Sequence, residues 1–354
     1  MNIKKIIMLI IIPLLLNGCY DYQEITDLGI IVALGVDYQN NEFVITYEVL
    51  DDNKDKQSGL ISSYTVTSSD TNLAKAFEKT SSKMAKKPYY SHIDIVLFGT
   101  SLAKDKFKDL TDYFLRNNDI REDFDVVIVD NPQKVLESTT LKQKVIGSSI
   151  VKAIKSDKYG IGISLEKKYS DITSEILAFG QDTIIPKINI INNDIILEGL
   201  ALFNNYNLVS YLNTQDSSTY NLINNNAKNT ILTNDNSFSI AIYNSKIDIN
   251  MNNSINISGS VNAEILQNNP NYNIKNSQVL KELEEDFTNI LNNNIVLLIT
   301  KLQENNSDVL GLTNNYYKTN RIKNNKLWLY KDINSNVDLI ISKKGIIYEV
   351  DEND

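Results

Sequence analysis

The sequence predicts an α+β fold: three mixed α/β domains with antiparallel-rich sheets packed by helices, behind a cleaved lipoprotein signal peptide. Three observations carry this. Short apolar runs alternate with helix-spaced stripes between Leu28 and Leu136. Strict period-2 alternation dominates Ile247 to Ile265. A long helical stripe opening at Ser277 is followed by alternating Val337, Leu339 and Ile341. The expected division is a signal peptide over 1–18, an N-terminal α/β domain over 19–187, a middle antiparallel domain over 188–270, and a C-terminal helix plus hairpin over 271–354. The last two can form one C-terminal region.

The N-terminus explains the removable segment. Lys4 and Lys5 precede Ile6 to Leu16, a mostly apolar run of signal-peptide length. A spanning helix needs roughly 20 such residues, so this run is too short to stay as an anchor. Leu16-Asn17-Gly18-Cys19 follows, and Cys19 is the only cysteine, so no disulfide can form within the chain. That order reads as a lipoprotein box. Cleavage falls after Gly18, the Cys19 thiol takes diacylglycerol, and the new amino group can take a palmitoyl chain. Two acyl chains hold a protein on a bilayer where one is marginal. The alternative is a plain secretory signal with a chance cysteine.

The body follows in order. Leu28 to Asp37 is small and β-branched without polar interruption, as in a strand buried on both faces. Asn40-Asn41 turns it, and Phe43, Ile45, Tyr47 and Val49 alternate in a return strand. Ser62 to Ser68 is a further short strand. Asp70 or Thr71 can cap a helix whose stripe is Leu73, Ala76, Phe77, Thr80 and Met84, with Pro88 as its stop. Ile93 to Phe98 is a buried strand, and Gly99 leads into a helix with Ala103, Phe107, Leu110 and Phe114 inside. Val126 to Val129 is a strand, and Pro132 opens another helix. Of 48 asparagines only nine precede Asn189, and this shift sets the boundary near Pro186–Asn193. The helix from Ser277 is expected to break at Asn292-Asn293-Asn294. Val337 to Ile341 and Ile346 to Val350 form a closing hairpin around Gly345.

Composition narrows the function. The chain is 42% hydrophobic and 22% charged, which is ordinary for a globular protein. Net charge is −9; loss of Lys4 and Lys5 leaves 33 basic against 44 acidic residues, or −11. Such a body is repelled by nucleic acid and by anionic headgroups, so the lipid must supply attachment. His92 is the only histidine and precedes an apolar strand, which suits a structural role. One His and one Cys argue against zinc sites and Ser-His or Cys-His nucleophiles. Gly160-Ile161-Gly162 lacks the remainder of a phosphate loop. Asp51-Asp52 and Glu284-Glu285-Asp286 read as solvated faces. No cofactor or metal is called for. Arg116 and Arg121 stand out in a lysine-rich chain: they pair locally with Asp112, Asp119 or Glu122, or they grip a partner.

These residues resemble the C-subunit lipoproteins of spore germinant receptors, the Ger(x)C family. The resemblance starts at Cys19-Tyr20-Asp21-Tyr22-Gln23-Glu24-Ile25, with Leu28 and Gly35-Val36-Asp37 following. Tyr20 and Gln23 stand where the family usually has Trp and Arg. It continues through His92-Ile93, Gly99, Phe114-Leu115-Arg116, Arg121, Pro186 and Glu198-Gly199-Leu200-Ala201-Leu202-Phe203. Asp308-Val309-Leu310-Gly311-Leu312 resembles the family's Asp-Ile-Phe-Gly-Phe-Gly segment, and Trp328 and Gly345 come where expected.

The resemblance implies a non-enzymatic, lipid-anchored subunit on the outer face of the inner spore membrane. Its partners would be two multi-spanning proteins, the germinant receptor A and B subunits. The alternative is a lipid-anchored solute-binding protein feeding a transporter, which the 19 tyrosines permit and the alternating strands oppose. A carboxylate hydrolase is the third class.

Overall fold

The computed structural model describes residues 25–51, 62–138, 145–157, 160, 162–192, 194–226, 229–269, 272–324 and 326–343. Gly18, Cys19 and the return strand expected over Ile346–Val350 lie outside them.

The first sheet contains β1 (Leu28–Gln39), β2 (Glu42–Asp51), β3 (Ser62–Asp70), β4 (Lys87–Tyr89), β5 (Ile95–Gly99), β6 (Asp125–Val129), β7 (Ile184–Ile191), β8 (Asp194–Asn204) and β9 (Asn207–Leu212). Its order is β3-β2-β1-β5-β6-β7-β8-β9, with β4 paired to the start of β1. The central strands β1, β5, β6 and β7 run parallel, and antiparallel hairpins flank them on both sides. Asn40 and Asn41 turn β1 into β2 with φ of 52° and 65°. Asparagine tolerates that left-handed region better than most residues, and two such residues give the turn whose twist matches a hairpin.

Helices α1 (Leu73–Ser82), α2 (Thr100–Asp105), α3 (Phe107–Arg116), α4 (Pro132–Leu136), α5 (Ile146–Asp157) and α6 (Tyr169–Leu177) cover this sheet. Phe77, Leu102, Phe107, Phe114 and Tyr169 fill one face around Phe98. Leu136, Ile150 and Ile154 fill the other around Leu97 and Val127. Asn72, not Asp70 or Thr71, caps α1 by accepting from the Lys75 amide at 3.1 Å. Asp70 instead accepts from the Asn72 amide at 2.9 Å, and so positions the cap. The helix ends at Ser82, and Pro88 sits in β4, an edge pairing that can lack its N–H. The single helix expected after Gly99 is two, interrupted at Lys106.

The second sheet is β10 (Thr230–Thr233), β11 (Ser239–Met251), β12 (Ile255–Gln267) and β13 (Ile333–Lys343), in that order. Helices α7 (Thr214–Ile223), α8 (Ser277–Glu304) and α9 (Leu312–Asn320) are the further α-helices among the described residues. The boundary expected at 187–188 falls inside β7, and β8 and β9 extend the first sheet. Asparagine content marks exposed faces and turns, not the chain's topology. One continuous core joins Ile184, Leu200 and Leu212 of the first sheet to Ile257 and Val337 of the second, through Phe287 and Ile295 of α8.

Strand β13 pairs with β12 in parallel, and α8 satisfies its other edge. The amides of Val337, Leu339 and Ile341 donate to Asn292 Oδ1 (2.9 Å), Thr288 Oγ1 (3.2 Å) and Glu284 Oε1 (2.8 Å). Four helical residues advance about 6 Å and two strand residues about 7 Å, so the two ladders stay in register. The expected break at Asn292 is therefore absent, and α8 is continuous over 28 residues. Asn292 also donates to the Val337 carbonyl at 2.9 Å, which offsets its weak helix propensity.

Candidate functional site

A groove of about 820 Å³ opens between α1, α3 and the start of β2. Phe43, Leu73 and Tyr113 give it an apolar floor; Lys106, Asp109, Asp112, Arg116 and Asp119 give it charge of both signs. The sequence sets the floor locally. Phe77 on α1 stacks on Tyr113 of α3 with ring centroids 4.7 Å apart, and Phe43 meets Tyr38 at 5.0 Å. The break at Lys106 lets its ammonium lie over the Tyr38 ring at 5.5 Å and reach Asp109 at 3.3 Å.

Arg116 closes one end. Its Nε donates to Asp112 Oδ2 at 2.8 Å, one helical turn back, so the local pairing expected from the sequence forms. Both side chains are exposed, and the hydrogen bond from Arg116 holds the Asp112 carboxyl below its usual range. Arg121 is also exposed, but it lies on the loop before β6 and does not line the groove. The structure therefore separates the two arginines. The groove offers alternating charge over aromatic rings, the chemistry that binds a polar peptide segment by paired ionic contacts.

The buried carboxylates have other work. Asp37 accepts from its neighbour's amide, Tyr38 N, at 2.8 Å and from Gln39 Nε2 at 2.5 Å, and the Leu102 amide in the first turn of α2 also bonds it. Gly99, the N-cap of α2, has no side chain to do this, and Asp37 occupies the space where its Cβ would stand. Glu48 accepts from Ile146 N (2.6 Å) and Gly147 N (2.8 Å), the opening of α5, and from Ser63 Oγ (2.7 Å). Burial pushes the carboxyls of Asp37 and Glu48 up, against these hydrogen bonds.

Asp308 accepts from Leu312 N (2.9 Å) and Thr313 N (2.8 Å), fixing the start of α9. Asp182 accepts from the Asp308 amide at 2.8 Å and the Asn205 amide at 2.6 Å. Ser307 Oγ donates to the Phe203 carbonyl at 2.6 Å. These contacts clamp the Asp308–Leu312 segment onto the entry to β7. Gly311 takes φ 63° with Gln181 against it, which is why glycine stands there. Burial raises Asp308 to about 6.

The remaining residues singled out in the sequence are dispersed. His92 is exposed against the Tyr89 ring at 5.5 Å. Glu284 holds β13, Glu285 reaches Lys281 at 3.9 Å, and Asp286 accepts from Asn234 at 2.7 Å, so the acidic triplet fans out. Among the described residues no three His, Cys, Asp or Glu side chains gather as a metal-ligand set, and no helix is long and apolar enough to cross a membrane.

Residues 21–190 match the family described as the spore germination protein N-terminal domain, and residues 198–345 match "Spore germination B3/GerAC like, C-terminal". The chain is similar to spore germination protein KC of Bacillus subtilis (strain 168), at 22% identity over 201 residues. That match covers 53% of this chain and 49% of the relative, so the alignment spans about half of each. The crystal structure of the GerBC protein has a similar fold: TM-score 0.53 at 15% identity, over 87% of this chain and 96% of that one.

Proposed function

Because the chain belongs to the GerAC-like spore germination family, we propose that it is the lipid-anchored C subunit of a germinant receptor, a non-enzymatic extracytoplasmic scaffold. The observation that carries this is the pair of family matches, which together account for nearly the whole chain after Cys19. The Leu16-Asn17-Gly18-Cys19 box supports the anchor, with lipid on Cys19 after cleavage at Gly18. The body then sits on the outer face of the inner spore membrane, beside the multi-spanning A and B subunits.

The use of the buried carboxylates supports the scaffold reading. Asp37 accepts the Leu102 amide of α2, Glu48 the amides that open α5, Asp157 the Ser164 amide and Asp308 the amides that open α9, so their chemistry is spent on holding the fold. The α1–α3 groove is the proposed contact for a partner's outer loop, with Arg116 at its rim; Arg121 is a second, separate contact. The test is a Cys19→Ala chain expressed as the sole copy in sporulating cells. Nutrient-triggered germination should fall sharply while nutrient-independent germination continues. A normal nutrient response from an unlipidated chain contradicts the proposal.

A further inference from the structure

The acidity of this chain is uneven, and the exception is the segment from Leu312 to Lys331. It carries Lys318, Arg321, Lys323, Lys326 and Lys331 and no carboxylate, so the remainder bears −14 against a chain total of −9. All but Lys331 are exposed, and none of the five forms an ion pair among the described residues. Arg321 ends α9 in the left-handed region at φ 58°, where glycine is the usual occupant.

Apolar surface accompanies the charge. Leu177 is 69% exposed, Ile322 53% and Tyr330 86%. Phe179 and Tyr317 meet edge-on at 5.1 Å, with Lys323 Nζ at 5.7 Å from each ring. Lysines and arginines around exposed aromatic and aliphatic side chains are the composition of a surface that rests on a charged bilayer: the cations reach phosphates and the apolar groups enter the headgroup layer.

Position selects the occupant. Strands β1, β5, β6 and β7 are parallel, so the beginnings of β1 and β7 lie at one end of the sheet. Leu28 starts β1 only nine residues after Cys19. The segment entering β7 carries Leu177 and Phe179 and holds α9: Asn314 N donates to the Gly180 carbonyl at 3.0 Å, and Gln181 accepts from Asn314 Nδ2 at 2.9 Å. Three strand spacings separate β1 from β7, about 14 Å. Nine residues reach about 30 Å at most. Asn314 and Lys323, which rest on Gly180 and Phe179, thus place α9 and the residues just after it at the tether's end of the molecule.

We infer that residues 312–324 and 326–331, with Leu177 and Phe179, form a face that docks on anionic lipid headgroups and sets the orientation of the tethered body. This rests on the lipid-anchor reading above. The acyl chains supply attachment; the basic face fixes which side looks down, although the body as a whole is acidic.

The test is hydrogen exchange of the natural full-length mature protein on vesicles of phosphatidylcholine alone and on vesicles of equal parts phosphatidylcholine and phosphatidylglycerol. Amides within 312–331 should exchange about tenfold more slowly on the anionic vesicles, and the protection should fade in concentrated salt. The combined variant Lys318→Glu, Arg321→Glu, Lys323→Glu, Lys326→Glu should lose the difference while its circular dichroism is unchanged. Equal exchange on both vesicles, or protection that needs membrane proteins, overturns the inference. Mass analysis of the Cys19 peptide separates the two claims. Lipid present without protection refutes the face alone. Protection without lipid refutes the tether alone.

Discussion

A methyl group added at Gly99 should destabilise the protein by about 3 kcal/mol, although the backbone there suits any residue. Gly99 has φ −66° and ψ 144°, so alanine brings no backbone strain. Its Cβ would stand 1.9 Å from Asp37 Oδ1 and 2.1 Å from Cγ. The carboxylate must move, yet it is 2% exposed and holds two amides and the Gln39 side chain. Hydrogen bonds to a buried charged group are worth about 1.5–3 kcal/mol each, and displacement weakens several at once. Urea unfolding of the wild type, Gly99→Ala, Asp37→Ala and the double variant forms a thermodynamic cycle. In the Asp37→Ala background the same methyl should be neutral or stabilise by up to about 1 kcal/mol, through the unfolded chain. A single-variant cost under about 0.5 kcal/mol, or an additive cycle, would refute the interlock between β1 and α2.

The other expectations follow from the same contacts. Asn292→Ala should cost about 2–3 kcal/mol and speed hydrogen exchange at Val337, because it strips that residue's amide and carbonyl of partners; unchanged exchange would contradict the ladder. Burial raises Asp308 from 3.8 to about 6, so the folded state holds its proton more tightly than the unfolded chain. Stability from this group is therefore full below pH 3.8 and is lost as pH rises through about 6, a fall of about 3 kcal/mol. Asp308→Asn should lack that fall in denaturation curves taken across this range; an identical slope in both proteins counts against it. Arg116→Glu should leave the urea-unfolding midpoint essentially unchanged, since the Asp112 pair is exposed. If the groove is a docking site, that variant should capture markedly less of the partner subunits from detergent extracts.

Periodicity revealed the parts of the fold where one face is apolar and the other wet. The β1–β2 and β11–β12 hairpins and the stripes of α1 and α8 are of this kind. It missed α7, whose buried face includes Ser217, Thr219 and Asn221; Asn221 donates to the Gly162 and Ser164 carbonyls at 2.7 and 2.9 Å. A polar residue that donates hydrogen bonds inside the fold looks like a surface residue in the sequence. The supposed break at Asn292 fails for the same reason: an asparagine weak as a helix former is held by contacts 45 residues away. Nor can local pattern show that β13 joins β12 in parallel, because that pairing depends on where α8 leaves the chain.

The candidate site was legible in part. Arg116 was visible as a scarce cation one turn from Asp112, but its groove neighbours Phe43 and Leu73 come from distant elements. Asp37 and Gly99 appear in the sequence as separate residues; only their contact explains both. The basic face over 312–331 was present as an uninterrupted run, hidden because net charge averages it against the rest.

Purifying the natural protein from spore membranes in mild detergent, with its N-terminal peptide weighed and its companions identified, tests the central claim most directly. The account predicts a chain beginning at an acylated Cys19 that brings two multi-spanning proteins with it. An unmodified chain recovered alone from the soluble fraction would contradict it.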